Sequence, residues 1–172
     1  ALRFDRVINV AGPWSNRLLE QSGMAVPQQL DLVRGSHLLL PPLCRYGHML
    51  EVPGEARIVF VLPYQGQTLV GTTEVRQHLD DPIACSDAER RYLLAVYNRY
   101  FVDPRDDTDI VGEFAGIRPL LGGSQHASSA SREYQLNWQD AVLTVTGGKW
   151  TTARALARHV VAQVQETQQP QR

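Results

Sequence analysis

Leu143-Thr144-Val145-Thr146-Gly147-Gly148-Lys149-Trp150-Thr151-Thr152 is the stretch on which the fold of this chain turns. Its apolar, β-branched start predicts a buried strand, and two glycines end it. Thr151 or Thr152 is placed to cap a final helix carrying Ala153, Leu156, Ala157, Val160, Val161 and Val164 on one face. Glycine lets a backbone approach a ligand closely and adopt positive φ. A helix N-terminus offers unpaired N–H groups and partial positive charge, to which Lys149 adds a full one. Such a junction suits an anion, although a plain strand–helix turn with a solvated lysine uses the same residues. A Walker A loop is excluded, because Leu143 stands where its first glycine is needed and Trp150 where Ser or Thr must follow the lysine.

The beginning of the chain repeats the pattern. Residues 7–11 predict a short buried strand, Gly12-Pro13 ends it, and residues 14–22 predict a helix with Leu18 and Leu19 as its apolar face. Between these two units the sequence looks different. Apolar runs at 30–33 and 38–40 flank Arg34-Gly35-Ser36-His37, and 49–52 is a further strand candidate. Residues 57–63 and 68–71 flank the hairpin turn Tyr64-Gln65-Gly66-Gln67. Ser86-Asp87-Ala88-Glu89 is a capping box opening a helix to about Phe101, with Leu93, Val96, Tyr97 and Tyr100 as core residues. Residues 110–117 predict a strand ending at Arg118-Pro119, 122–131 a mobile Gly/Ser-rich loop, and 134–138 and 142–145 the last strands.

Seven or eight strands and three helices in this order predict an α+β fold, a mostly antiparallel sheet flanked by helices. The strand–glycine–helix units at both ends resemble pieces of a dinucleotide-binding half-sheet. The implied division is 1–25 and 141–166 as one domain, 26–140 as a domain inserted between them, and 167–172 as a frayed tail.

With 43% hydrophobic residues, 20% charged and a formal net charge of −1, the chain has a core-forming composition and no electrostatic reason to meet nucleic acid. No apolar run approaches the ~18–20 residues of a membrane span. Cys44 and Cys85 lack metal-ligand spacing, which favours reduced thiols, and the histidines are scattered singly, so no metal is expected. The chain opens at Ala1 without Met or a leader and runs directly into a strand, as a piece of a longer protein would.

The middle segment offers polar candidates. Arg118, Arg132 and Lys149 could clamp a phosphate or carboxylate, or the arginines could form ordinary ion pairs. His37 suits acid–base work or a structural hydrogen bond. Glu74, after Gly71-Thr72-Thr73, is either functional or a solvent-facing strand end.

Eight motifs, in order and at matching spacing, carry a family resemblance: Val7-Ile8-Asn9-Val10-Ala11-Gly12-Pro13-Trp14, Arg34-Gly35-Ser36-His37-Leu38, Ile58-Val59-Phe60-Val61-Leu62-Pro63, Gly71-Thr72-Thr73-Glu74, Tyr92-Leu93-Leu94, Gly116-Ile117-Arg118-Pro119-Leu120, Ser131-Arg132-Glu133-Tyr134 and Gly147-Gly148-Lys149-Trp150-Thr151-Thr152. Together they closely resemble the FAD-dependent respiratory glycerol-3-phosphate dehydrogenases. The resemblance implies a Rossmann-like FAD domain interrupted by a cap that bears an antiparallel sheet. It implies oxidation of sn-glycerol 3-phosphate to dihydroxyacetone phosphate by hydride transfer to FAD, with quinone as acceptor and a cytoplasmic location peripheral to the inner membrane.

It further implies that Arg118 faces the substrate, that Arg132 lies near the substrate's phosphate or hydroxyls with Lys149 also within the site, and that His37 takes the hydroxyl proton. Gly147, Gly148, Lys149 and Thr151 would then form the turn at the flavin's pyrimidine edge, Ala11, Gly12 and Trp14 the other cofactor-side strand end, and Trp150 a packing residue. A helix N-terminus with Lys149 would stabilise charge developing on the flavin. The family's Gly-x-Gly-x-x-Gly turn is not in this sequence, so FAD is not expected to bind this chain alone. A related FAD-dependent amine or amino-acid oxidase and a non-catalytic cap-fold binding module are the competing readings.

Overall fold

The computed structural model describes residues 3–42, 45–121 and 133–166. In chain order the elements are β1 (Val7–Asn9), α1 (Ser15–Gln21), β2 (Leu30–Leu40), β3 (His48–Glu51), β4 (Ile58–Tyr64), β5 (Gln67–Gly71), β6 (Val75–Arg76), α2 (Asp87–Tyr100), β7 (Gly112–Leu121), β8 (Tyr134–Gln139), β9 (Val142–Gly147) and α3 (Ala153–Glu166). Single 3-10 turns at Gly12–Trp14, Asp107–Asp109 and Trp150–Thr152 precede α1, β7 and α3. Two compact units result, one from residues 1–31 with 119–172 and one from 32–118.

In the first unit β1, β9 and β8 form a sheet in that order. β1 runs parallel to β9, pairing Val7 with Val142, Ile8 with Leu143 and Asn9 with Thr144. The first and last strand–glycine–helix units are therefore neighbours, as their shared pattern suggests. Side chains alternate across a strand, so Leu143 and Val145 face Leu156, Val160 and Val164 of α3, while Thr144 and Thr146 point to the opposite face. The contact made by α3 is a narrow stripe at i, i+4, i+8. Ala153, Ala157 and Val161, read as part of that face, are exposed. On α1 Leu19 is the buried apolar side chain, at 2% exposure, with Ser15 also buried at its start, whereas Leu18 is 43% exposed. β8 pairs antiparallel with β9 in this unit, so the break between units falls at 118/119 instead of 140/141.

The second unit is an antiparallel sheet in the order β3-β4-β5-β2-β6, with β7 also paired to β2. Gln65 and Gly66 both take positive φ in the two-residue turn that joins β4 to β5, the geometry that matches strand twist in a tight hairpin. One sheet face, with Leu38, Leu40, Leu50, Val59, Val61 and Val70, packs on Leu93, Leu94, Val96 and Tyr97 of α2. The capping box at Ser86 is formed in both directions. Tyr100, read as core, is 46% exposed; its hydroxyl instead donates to the Glu51 carbonyl at 2.6 Å.

Two apparent breaks in the sequence are not breaks in the fold. β2 runs unbroken for 11 residues through Arg34-Gly35-Ser36-His37, because Glu89 on α2 satisfies the polar side chains. Arg34 Nη2 donates to Glu89 at 2.7 Å, Ser36 Oγ at 2.8 Å and Thr73 Oγ1 at 2.6 Å. β7 likewise continues through Arg118-Pro119 to Leu121. The helix-capping threonines are also displaced: Thr151 and Thr152 lie inside the 3-10 turn, with Lys149 as its N-cap. The predicted loop at 122–131 and the tail at 167–172 lie outside the described residues.

Candidate functional site

In the first unit, parallel pairing puts the carboxyl ends of β1 and β9 at the same edge of the sheet, the place where α/β sheets hold ligands. Asn9, which sequence reasoning passed over, shapes the turn after β1. It is 2% exposed, donates to the Ser15 carbonyl at 3.1 Å and to Thr144 Oγ1 at 3.4 Å, and accepts from the Ala11 amide at 3.2 Å. An asparagine inside an apolar strand was the available signal. Gly12 follows at φ +57 with nothing within 4 Å of where a Cβ would stand. Trp14 is 47% exposed.

The turn after β9 is tighter. Gly147 and Gly148 have φ of +77 and +92. A Cβ on Gly147 would run into the Glu133 carbonyl, and one on Gly148 would stand 3.0 Å from Leu156 Cδ2. Beside this turn is a cleft of about 580 Å³ lined by Glu133, Tyr134, Lys149, Thr152, Ala155 and Leu156. Gly147, Gly148, Lys149 and Thr151 are thus gathered in one turn, though Thr151 does not line the cleft while Thr152 does. Trp150, read as a packing residue, is 95% exposed. The 3-10 turn swings it out of the core that Leu156 and Val160 fill.

In the second unit, His37 and Arg118 come together. His37 lies on the face of β2 opposite α2, in a row with Gly71, Phe60 and Met49 across the sheet. Its ring stacks on Phe114 at 4.9 Å and covers Gly71, where a Cβ would collide with it. Its Nδ1 is buried without a hydrogen-bond partner among the described residues. Burial, and after it the Arg118 charge, lowers the His37 pKa from its ordinary 6.5. The imidazole is therefore neutral at pH 7 and able to accept a proton.

Arg118 Nη2 donates to the Thr73 carbonyl at 3.2 Å, and its Nη1 lies 3.7 Å from Glu74 Oε1. Gly35 makes room for it, since a Cβ there would stand 3.0 Å from Nη2. Phe114, Gly35 and Gly71 were missed as site-shaping residues; their role depends on cross-strand register, which the sequence does not display. Arg132 lies outside the described residues. No helix of the described residues is long and apolar enough to cross a membrane.

Comparison with known proteins gives a consistent set of relatives. A family model described as FAD dependent oxidoreductase matches residues 1–163. The glycerol-3-phosphate dehydrogenase of Pseudomonas aeruginosa is 36% identical over 96% of this chain and 34% of its own length. The aerobic glycerol-3-phosphate dehydrogenase of Escherichia coli K12 is 34% identical over 90% of this chain and 33% of its own. A solved structure, the glycerol-3-phosphate dehydrogenase from Bacillus halodurans complexed with FAD, superposes with a TM-score of 0.80 at 28% identity, covering 96% of this chain and 33% of that one. The chain spans about a third of the length of these relatives.

Proposed function

The chain belongs to the FAD-dependent oxidoreductase family, and from that premise we propose that it is part of a flavoenzyme oxidising sn-glycerol 3-phosphate to dihydroxyacetone phosphate. The observation that carries this reading is the pairing of His37, neutral and with a buried nitrogen that has no partner among the described residues, with the Arg118 guanidinium that acts on it electrostatically. Oxidising a secondary alcohol needs a base for the hydroxyl proton, and holding a phosphate ester needs a cation with directional donors.

The residues at the β1 and β9 ends fit FAD. Gly147 and Gly148 hold conformations that side chains resist, the space at Gly12 is open, and Lys149 borders a cleft. We assign Ala11, Gly12 and Trp14 to one side of the cofactor, and Gly147, Gly148, Lys149 and Thr151 to its pyrimidine edge. When bound, FAD supplies a two-electron acceptor for the hydride leaving C2. Lys149 and the amides at the start of the 150–152 turn would stabilise negative charge there. His37 would take the hydroxyl proton, and Arg118 would hold the substrate's anionic group. The unit of 32–118 is then the cap, and the unit of 1–31 and 119–166 the remainder of the cofactor domain. Quinone as acceptor completes the proposal, and with it a cytoplasmic location peripheral to the inner membrane, since a quinone is held in the bilayer.

Arg118→Ala in the intact flavoprotein is the test. Charge-assisted hydrogen bonds to an anion are worth roughly 1.5–3 kcal/mol, so kcat/KM for glycerol 3-phosphate falls about 10- to 150-fold while FAD content stays constant. Arg118→Lys recovers part of the loss, because an ammonium keeps the charge without the planar fork. Equal kcat/KM in all three proteins would remove Arg118 from the site. Turnover of an amino acid in place of the phosphate ester would favour the oxidase reading instead.

A further inference from the structure

Segment 72–74 joins β5 to β6, and its backbone is gripped from two directions. Arg57 Nη2 donates to the Thr72 carbonyl at 2.8 Å, and Arg118 Nη2 donates to the next carbonyl, Thr73, at 3.2 Å. The side chain that follows, Glu74, sends its carboxylate between the same two guanidiniums, 3.9 Å from Arg57 Nε and 3.7 Å from Arg118 Nη1. Glu74 is only 14% exposed, so it is not a solvent-facing strand end. At these distances it attracts Arg118 without a direct hydrogen bond to it, while the Thr73 carbonyl fixes the plane of the fork.

From this geometry we propose that Glu74 is a positioning residue for Arg118. It keeps the guanidinium over Thr73 and beside His37, where a substrate anion would meet it. The inference rests on the assignment of Arg118 as the anion-binding residue made under Proposed function.

A long arginine side chain that is 35% exposed has many rotamers, and ordering it costs entropy. A partly buried carboxylate placed on one side and a carbonyl on the other select a single arrangement. Among the described residues, three other charged groups near His37 have partners of their own. Arg57 also meets Glu55 at 3.9 Å, Glu113 of β7 binds Arg90 at 2.6 Å, and Glu89, on the α2 side of β2, binds Arg34 at 2.7 Å. Among the described residues, Glu74 is thus an acidic side chain poised to hold Arg118 in its place.

Two measurements on the variants Glu74→Gln, Glu74→Asp and Arg118→Ala decide the matter. The first is the His37 ring titration followed by NMR in this chain. Removing a carboxylate while Arg118 stays put leaves the arginine's charge less offset, which lowers the His37 midpoint further. Letting Arg118 leave its place removes the cation from His37, which raises the midpoint. The proposal expects an upward move in Glu74→Gln, in the direction of Arg118→Ala, and a midpoint near wild type in Glu74→Asp. A midpoint that falls or does not move in Glu74→Gln, while Arg118→Ala raises it, overturns the proposal. So does a Glu74→Gln chain that fails to fold, since the carboxylate would then be structural.

The second measurement is kinetic, in the intact flavoprotein. Misplacing the binding group lowers kcat/KM for glycerol 3-phosphate roughly tenfold or more, mostly through KM, with FAD content unchanged and Glu74→Asp recovering much of it. Normal kinetics in Glu74→Gln beside an impaired Arg118→Ala would also overturn the proposal. If Arg118→Ala itself is silent in both measurements, the assignment of Arg118 has failed, not only the role of Glu74.

Discussion

On the proposed role of His37 as the base, replacing it by glutamine in the intact flavoprotein slows reduction of the flavin by glycerol 3-phosphate by roughly 10²- to 10⁴-fold, the contribution of a well-placed general base. Glutamine keeps much of the volume against Gly71 and Phe114 but takes no proton at neutral pH. Wild-type kcat/KM falls as pH drops through the His37 pKa, because the base is then occupied. Burial first, and Arg118 second, put that pKa below 6.5, so the acid limb lies on the low side of that value. In the variant this limb is absent. An acid limb that persists unchanged belongs to the substrate phosphate, whose own pKa is near 6, and with it a normal rate would exclude His37 as the base. Stopped-flow absorbance across pH separates these outcomes.

Replacing Glu89 by alanine costs roughly 3–5 kcal/mol of stability, the range for removing one partner of a buried ion pair. Glu89 is 4% exposed and accepts from Arg34, Ser36, Thr73 and Ser86. Without it Arg34 keeps its charge, at 12% side-chain exposure, with the neutral Gln77 amide oxygen and Pro82 carbonyl as acceptors. Burial alone would raise the Glu89 pKa, but the bonds from Thr73, Arg34 and Ser86 outweigh it and hold the pKa at about 2, against 4.5 when unfolded. Its contribution is therefore complete above pH 4.5 and disappears as pH falls towards 2. Wild type should lose stability steeply over that window in urea unfolding, and Glu89→Ala should start lower and lose less. Equal midpoints for the two proteins at pH 7 would mean that the Glu89 cluster contributes little.

That cluster also marks where the sequence stops being legible. The capping box at Ser86 was readable because its partners are three residues apart. That Glu89 of the same box reaches across to Arg34 and Ser36 was not, so β2 looked interrupted where it is continuous. The end units declared themselves through repeated strand–glycine–helix chemistry, which suggested that they are neighbours; that β1 and β9 run parallel came from the structure. Trp150 misled because an aromatic after a strand is usually packed, whereas here a 3-10 turn exposes it. Among the candidate site residues, the glycine turns, His37 and Arg118 were marked by local motifs. Asn9 was signalled by a polar residue inside an apolar strand, whereas Gly35, Gly71 and Phe114 act through register, which becomes visible only when strands are paired.

Anaerobic mixing of the oxidised, intact flavoprotein with glycerol 3-phosphate tests the central claim most directly. The account predicts loss of the oxidised flavin absorbance with one dihydroxyacetone phosphate formed per flavin, little response to glycerol, and a much slower loss in His37→Gln and Arg118→Ala. Bleaching by an amino acid but not by glycerol 3-phosphate, or equal rates in all three proteins, would contradict it.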